Sequence, residues 1–244
     1  MFSFFHRTPV IHLDCFTNAY HAYKFTPIVK ASKAIPQWWR NTAPGTTDFD
    51  FVTFQHPTRN RNVRTCYGFI ELYKRGCIVE SWSDFVLKNV DGKCTAFYST
   101  GPQVSTQTLN ERGGSFRDYT HLKLVNPWRF KEKTGVQFHC SAAWWSLEGK
   151  NFIMPPGLLA FDFNNAAHVN ILVPKKAEAQ QIRLGQPLMH LIPLIEGRLE
   201  IKNHFIDRED IDREFYSLKS FYGWRAIKNL MNRNKERERC PFKG

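Results

Sequence analysis

Short apolar runs, set between turn-forming residues, recur along this chain at the length of β-strands rather than helices. Leu158–Phe163, Val169–Val173 and Leu188–Ile195 are three such runs, and Gly185-Gln186-Pro187 reads as a corner between two segments. Further strands are predicted at Val10–Phe16, Thr65–Tyr73, Cys77–Trp82, Asp84–Leu87, Lys93–Ser99, Leu122–Val125, Val136–Cys140 and Leu199–Phe205. In Val136–Cys140 the residues Val136, Phe138 and Cys140 share one face, while Gln137 and His139 share the other. Asp91-Gly92 between alternating residues is a hairpin signal, and Lys131–Gly135 reads as a second hairpin turn. Gly101–Asp118 and Asn41–Asn62 read as loops. Pro36 begins a short helical turn that Trp38-Trp39 would pin to the body.

The pattern changes after Phe205. Ile211, Phe215, Leu218, Tyr222, Ile227 and Leu230 recur at helical spacing, with Asp207 placed to cap the start. The expected architecture is therefore mostly β. It is a β-sandwich, or a jelly-roll or double-stranded β-helix-like barrel, spanning residues 1–206, with a basic C-terminal amphipathic helix over 207–244.

At 244 residues and 42% hydrophobic residues, with 15% aromatic, the chain can fill one sizeable core. No apolar run approaches the ~18 residues of a membrane-spanning helix. Met1–Arg7 lacks the layout of a secretion signal, so export by such a signal is not expected. Six cysteines without a Cys-x-x-Cys pair read as reduced thiols and not as a zinc ribbon. The net charge of +12 favours acidic partners without specifying one. It concentrates in two places. Arg59, Arg61 and Arg64 form one cluster; Arg225, Lys228, Arg233, Lys235, Arg237 and Arg239 form another. Both are candidate nucleic-acid or partner contacts.

Ile35-Pro-Gln-Trp-Trp39, Cys66 with Gly76, Asn126-Pro-Trp128 before Thr134-Gly135, and Gly185-Gln-Pro187 through His190 to Pro193 occur in this order between Ala31 and Ile201. Together they resemble an uncharacterised protein family of tailed bacteriophages, especially the large myoviruses of marine bacteria and cyanobacteria. The resemblance implies a phage setting and a β-rich fold, and carries no catalytic residues. Other phage proteins, or further copies of the chain, are then the expected partners.

Enzyme chemistry has two footholds. His12-Leu13-Asp14 has the His-x-Asp spacing of Fe2+- and 2-oxoglutarate-dependent oxygenases, with His168 or His190 as a distal ligand. A cupin-like set of His139, His168 and His190 is the other, although the paired His-x-His of such barrels is missing. His190 on an apolar strand reads instead as a hydrogen-bonded core histidine. There is no Gly-x-Ser-x-Gly elbow and no phosphate-binding glycine loop. The expected function is a structural or interaction protein, virion-associated, with no cofactor or catalytic activity. A metal-dependent β-barrel enzyme and a nucleic-acid-binding accessory protein are the alternatives.

Overall fold

A parallel pair of strands from opposite ends of the chain anchors the architecture. In the computed structural model, which describes residues 8–43, 63–90, 93–98, 104–107, 114–147, 150–162, 165–177, 179–213 and 215, β1 (Val10–Thr17) lies between β14 (Arg198–Phe205), parallel to it, and β8 (Arg129–Glu132), antiparallel. A five-stranded sheet runs β10 (Gly157–Ala160), β9 (Gln137–Ala142), β13 (Pro187–Pro193), β3 (Cys77–Glu80), β2 (Val29–Lys30). Two smaller antiparallel sheets complete the body. One is β11 (Val169–Pro174), β7 (Tyr119–Leu124), β6 (Val104–Gln107); the other is β12 (Gln180–Ile182), β4 (Phe85–Val90), β5 (Lys93–Tyr98).

All four sheets contribute to one apolar core, which explains why the fold is mostly β. Leu13 and Cys15 of β1, Phe85 of β4, Leu122 of β7, Phe138 of β9, Ile171 of β11 and Leu191 of β13 are buried together. The alternation is plainest in β1, where Ile11, Leu13 and Cys15 point inward and His12 and Phe16 outward. A second, smaller cluster lies on the other side of the five-stranded sheet. There α1 (Tyr20–Phe25) is absent, and α2 (Gln37–Asn41), α3 (Tyr67–Lys74) and the 3-10 turns Ala31–Lys33 and Val63–Thr65 supply its residues, around Phe69, Tyr73 and Ile78.

Several elements depart from the pattern-based expectation. Thr65–Tyr73 is not a strand: Tyr67–Lys74 is helical, with Phe69 and Tyr73 buried, while Glu71, which a strand would place on the same face as both, is half-buried and pairs with Lys74. Lys131–Gly135 does not close a hairpin, since β8 pairs with β1 and β9 with β10 and β13. The segment instead carries the chain from one sheet to another. The buried Glu132 carboxylate fixes that corner by accepting hydrogen bonds from the Thr134 and Val136 amides, both at 2.9 Å, and from the Thr134 hydroxyl. Gly101–Asp118 contains β6 and a 3-10 turn at Gly114–Asp118. The run Leu158–Phe163 forms a strand only over Gly157–Ala160 and then turns; Leu188–Ile195 does so over Pro187–Pro193. A bulge between Pro187 and Met189 turns Leu188 inward with Met189 and Leu191, so it does not share a face with His190.

The remaining strand expectations agree with the fold. β4 and β5 pair as a hairpin, although Asp91-Gly92 itself lies outside the described residues. Gly185, at φ +77°, forms the corner between β12 and β13. Past β14, residues 208–213 are helical, and Ile211 and Phe215 are buried, Phe215 edge-on to Phe16. The rest of the expected C-terminal helix lies outside the described residues.

Candidate functional site

Two surfaces concentrate functional groups, each built on a different sheet. The first grows from the central strands of the five-stranded sheet. His190 pairs with Ser141 on β9 and with Ile78 on β3, so these three side chains project toward the helical side. Phe69 of α3 stacks on Trp39 and Tyr73 and meets Trp38 and Trp145 edge-on. The Trp38 indole donates to the Trp145 carbonyl at 3.0 Å, and the Trp39 indole to the Val63 carbonyl at 3.1 Å. Both bonds tie α2 to the body, as expected for a Trp pair at a short helical turn.

Trp144-Trp145 behaves differently from that pair. It occupies a 3-10 turn after β9, where Trp145 packs edge-on to Phe69 while Trp144 is 68% exposed. Trp38, Trp144 and Trp145 border a cleft of about 460 Å³ whose floor is Leu147, Phe152 and Met154. At its rim the Lys150 ammonium donates to the Gln181 carbonyl.

Beneath this cluster burial shifts the titratable groups toward their neutral forms. His190, 3% exposed, hydrogen-bonds through Nε2 to the Arg75 carbonyl at 2.8 Å. Burial lowers its pKa, against that bond and with the help of His139. Since a carbonyl only accepts, Nε2 carries the proton. Burial also pushes the Glu80 carboxyl up to about 7 and raises the Tyr73 phenol.

The second surface is the outer face of the sheet β14–β1–β8. Alternation and register place His12, Asp14 and Phe16 of β1 beside Arg198, Glu200, Lys202 and His204 of β14, and beside Arg129 and Lys131 of β8. Asp14 accepts from His204 Nε2 and Lys133 Nζ, each at 3.0 Å. Burial pushes the Asp14 carboxyl up, but those two hydrogen bonds and the neighbouring charges outweigh it and hold it below its ordinary range. Glu200 lies 2.7 Å from Arg198 and 3.4 Å from His12. His204 also stacks on Phe16 at 4.7 Å. Five Lys or Arg side chains therefore share this face with two carboxylates.

The proposed iron ligands do not come together. His12 faces Glu200, Asp14 faces His204 and Lys133, and His190 is committed to the Arg75 carbonyl in another sheet. His168 precedes β11 and accepts the Asn126 amide on Nδ1 at 3.3 Å. Burial, then the charges of Lys123 and Arg129, lower its pKa to about 4. Among the described residues no group of three His, Cys, Asp or Glu is placed to hold a metal ion. His139, of the cupin-like set, stands on β9 opposite Ile192 and Leu158. Cys15 and Cys77 are buried and free, and burial pushes Cys77 up to about 12, so both stay protonated thiols.

Of the predicted basic contacts, Arg64 donates to the carbonyls of Arg40 at 3.1 Å and Thr42 at 2.6 Å, and serves to close the α2 segment. Arg59, Arg61, Arg225, Lys228, Arg233, Lys235, Arg237 and Arg239 lie outside the described residues. The basic sheet face went unrecognised because its charges come from three strands. Only the pairing of β1 with β14, far apart in sequence, brings them together. Among the described residues no helix is long and apolar enough to cross a membrane. No protein-family model, no curated protein and no solved structure matches this chain.

Proposed function

We propose that this chain is a phage-encoded interaction protein without catalytic activity of its own, a β-sandwich or jelly-roll-like body that docks another phage protein. The observation that carries the reading is the tryptophan-bordered cleft. An exposed indole at Trp144, over an apolar floor of Leu147, Phe152 and Met154, is the composition of a protein-docking hot spot. A catalytic pocket would need convergent polar groups there, whereas the ammonium at the rim is already bonded to a backbone carbonyl. The sandwich-like body is supported by four sheets packing on one core, and the phage setting by the sequence resemblance.

Mass spectrometry of purified phage particles tests this reading. The wild-type protein is expected in particles, and Trp144→Ala combined with Trp145→Ala should reduce its incorporation at least tenfold while the purified variant stays folded. Particles that lack the wild-type protein and assemble normally after its deletion would contradict it.

A further inference from the structure

We infer that the tryptophan-bordered cleft takes a proline-rich segment of the docked protein, extended as a polyproline II helix. The inference rests on the reading of this cleft as the docking site and adds the chemistry of what enters it. Hydrogen-bonding capacity narrows the occupant. The Trp38 indole is spent on the Trp145 carbonyl. Trp144 and Trp145 are 68% and 39% exposed, and neither indole N–H has an acceptor among the described residues. The Lys150 ammonium, which already donates to the Gln181 carbonyl, has only further hydrogens to give.

The carbonyls of the turn that carries these indoles are already taken. Ala143 accepts from the Ser146 amide at 2.8 Å, Trp144 from the Leu147 amide at 3.2 Å, and Leu147 from the Lys150 amide at 3.2 Å. The Trp145 carbonyl holds Trp38, and the Ser146 carbonyl accepts the Gln186 side-chain amide at 3.4 Å. The floor, Leu147, Phe152 and Met154, is apolar. Among the described residues the cleft therefore offers donors over an apolar base.

The complementary ligand carries acceptors and apolar surface but no N–H. Proline has a backbone carbonyl without an amide hydrogen, and a polyproline II chain makes no internal hydrogen bonds, so its carbonyls are free for the indoles. Its rings pack on aromatic faces, and its conformation is set before binding, so little ordering entropy is lost. Other occupants match less well. An ordinary extended peptide brings one amide hydrogen per residue, and a sugar or a nucleobase brings donors of its own, to a turn whose carbonyls are occupied. An amphipathic helix satisfies its own backbone but would cover both indole N–H groups without giving them an acceptor. The cleft volume, about 460 Å³, lies within the ~300–1,000 Å³ of ordinary ligand sites and suits a few residues of chain, not a domain.

Titration of the full chain with synthetic decaproline, read by tryptophan emission and by calorimetry, is the test. Saturable binding is expected, and Trp144→Ala should weaken it about tenfold or more. Trp144→Phe keeps a ring and loses the N–H, and should weaken binding by about two- to tenfold. A decapeptide of alternating alanine and proline restores amide hydrogens and should bind about fivefold more weakly or worse. No saturable binding of decaproline at millimolar concentration would overturn the inference. So would equal binding by Trp144→Ala, or saturation by maltoheptaose in place of decaproline. A wild-type dimer that Trp144→Ala dissociates, in sedimentation, would assign the cleft to a second copy and overturn it as well. Failure of the ligand and failure of the docking role are distinguishable. Incorporation into particles that depends on Trp144, without decaproline binding, removes the proline-rich ligand and keeps the docking role. Decaproline binding by a protein that particles lack does the reverse.

Discussion

Glu80 and His168 are half-buried groups whose neutral forms the fold prefers, and they respond to pH in opposite directions. Glu80 has its carboxyl raised from 4.5 to about 7 by burial. Between those values the folded chain holds a proton that the unfolded chain has lost. Its contribution is thus intact below 4.5 and is lost as the pH rises through about 7. His168, lowered from 6.5 to about 4, behaves inversely: its contribution is intact above 6.5 and is lost as the pH falls toward about 4. Glu80→Gln should therefore raise the melting temperature at pH 8 and leave it nearly unchanged at pH 4. His168→Asn keeps an acceptor for the Asn126 amide and should flatten the acid side of the profile. Melting curves between pH 4 and 8 separate the two; an identical response of both variants would refute these assignments. Gly76 shows a constraint of another kind. Its φ is +75° and an added Cβ would lie 2.0 Å from the Leu191 carbonyl oxygen. Gly76→Ala should cost about 1–3 kcal/mol from the strained backbone alone, and more from the clash, as read by urea unfolding.

At the scale of elements, the corner between β8 and β9 shows what one buried carboxylate can redirect. Thr134-Gly135 would suit a hairpin, yet Glu132 draws the Thr134 and Val136 amides inward and sends the chain to another sheet. Glu132→Ala leaves both amides without that acceptor and should cost about 2–3 kcal/mol in chemical denaturation, with Glu132→Gln recovering part. A loss below 0.5 kcal/mol would show that the corner forms without its acceptor. This is also where the sequence pattern stopped being informative. The alternating strands β1, β11 and β14 and the hairpin β4–β5 were legible because each depends on local alternation or turn residues. The Glu132 corner was not, because a buried acid three residues before a glycine looks like any polar turn. α3 was missed for a related reason: its short aromatic run fits either period, and only packing under Trp38, Trp39 and Trp145 selects the helix.

For the whole molecule, the two surfaces are built on different sheets and fed by different parts of the chain. The tryptophan cleft depends on β9 and the segment after it, the basic face on the long-range pairing of β1 with β14. Trp144 was visible as a residue type but not as an exposed one, and Lys202 beside Asp14 was invisible until the parallel register placed them together. Residues on separate elements without shared partners usually contribute additively. Trp144→Ala should therefore change stability by no more than about 0.5 kcal/mol in urea unfolding, as its exposure implies. Reciprocally, Lys131→Glu with Lys202→Glu should leave incorporation into particles unchanged. A quadruple variant, combining this pair with Trp144→Ala and Trp145→Ala, should lose incorporation only to the extent that the tryptophan pair alone does. A larger loss would mean that the docked partner also reaches the basic sheet face, and the confinement of docking to the tryptophan cleft would then fail.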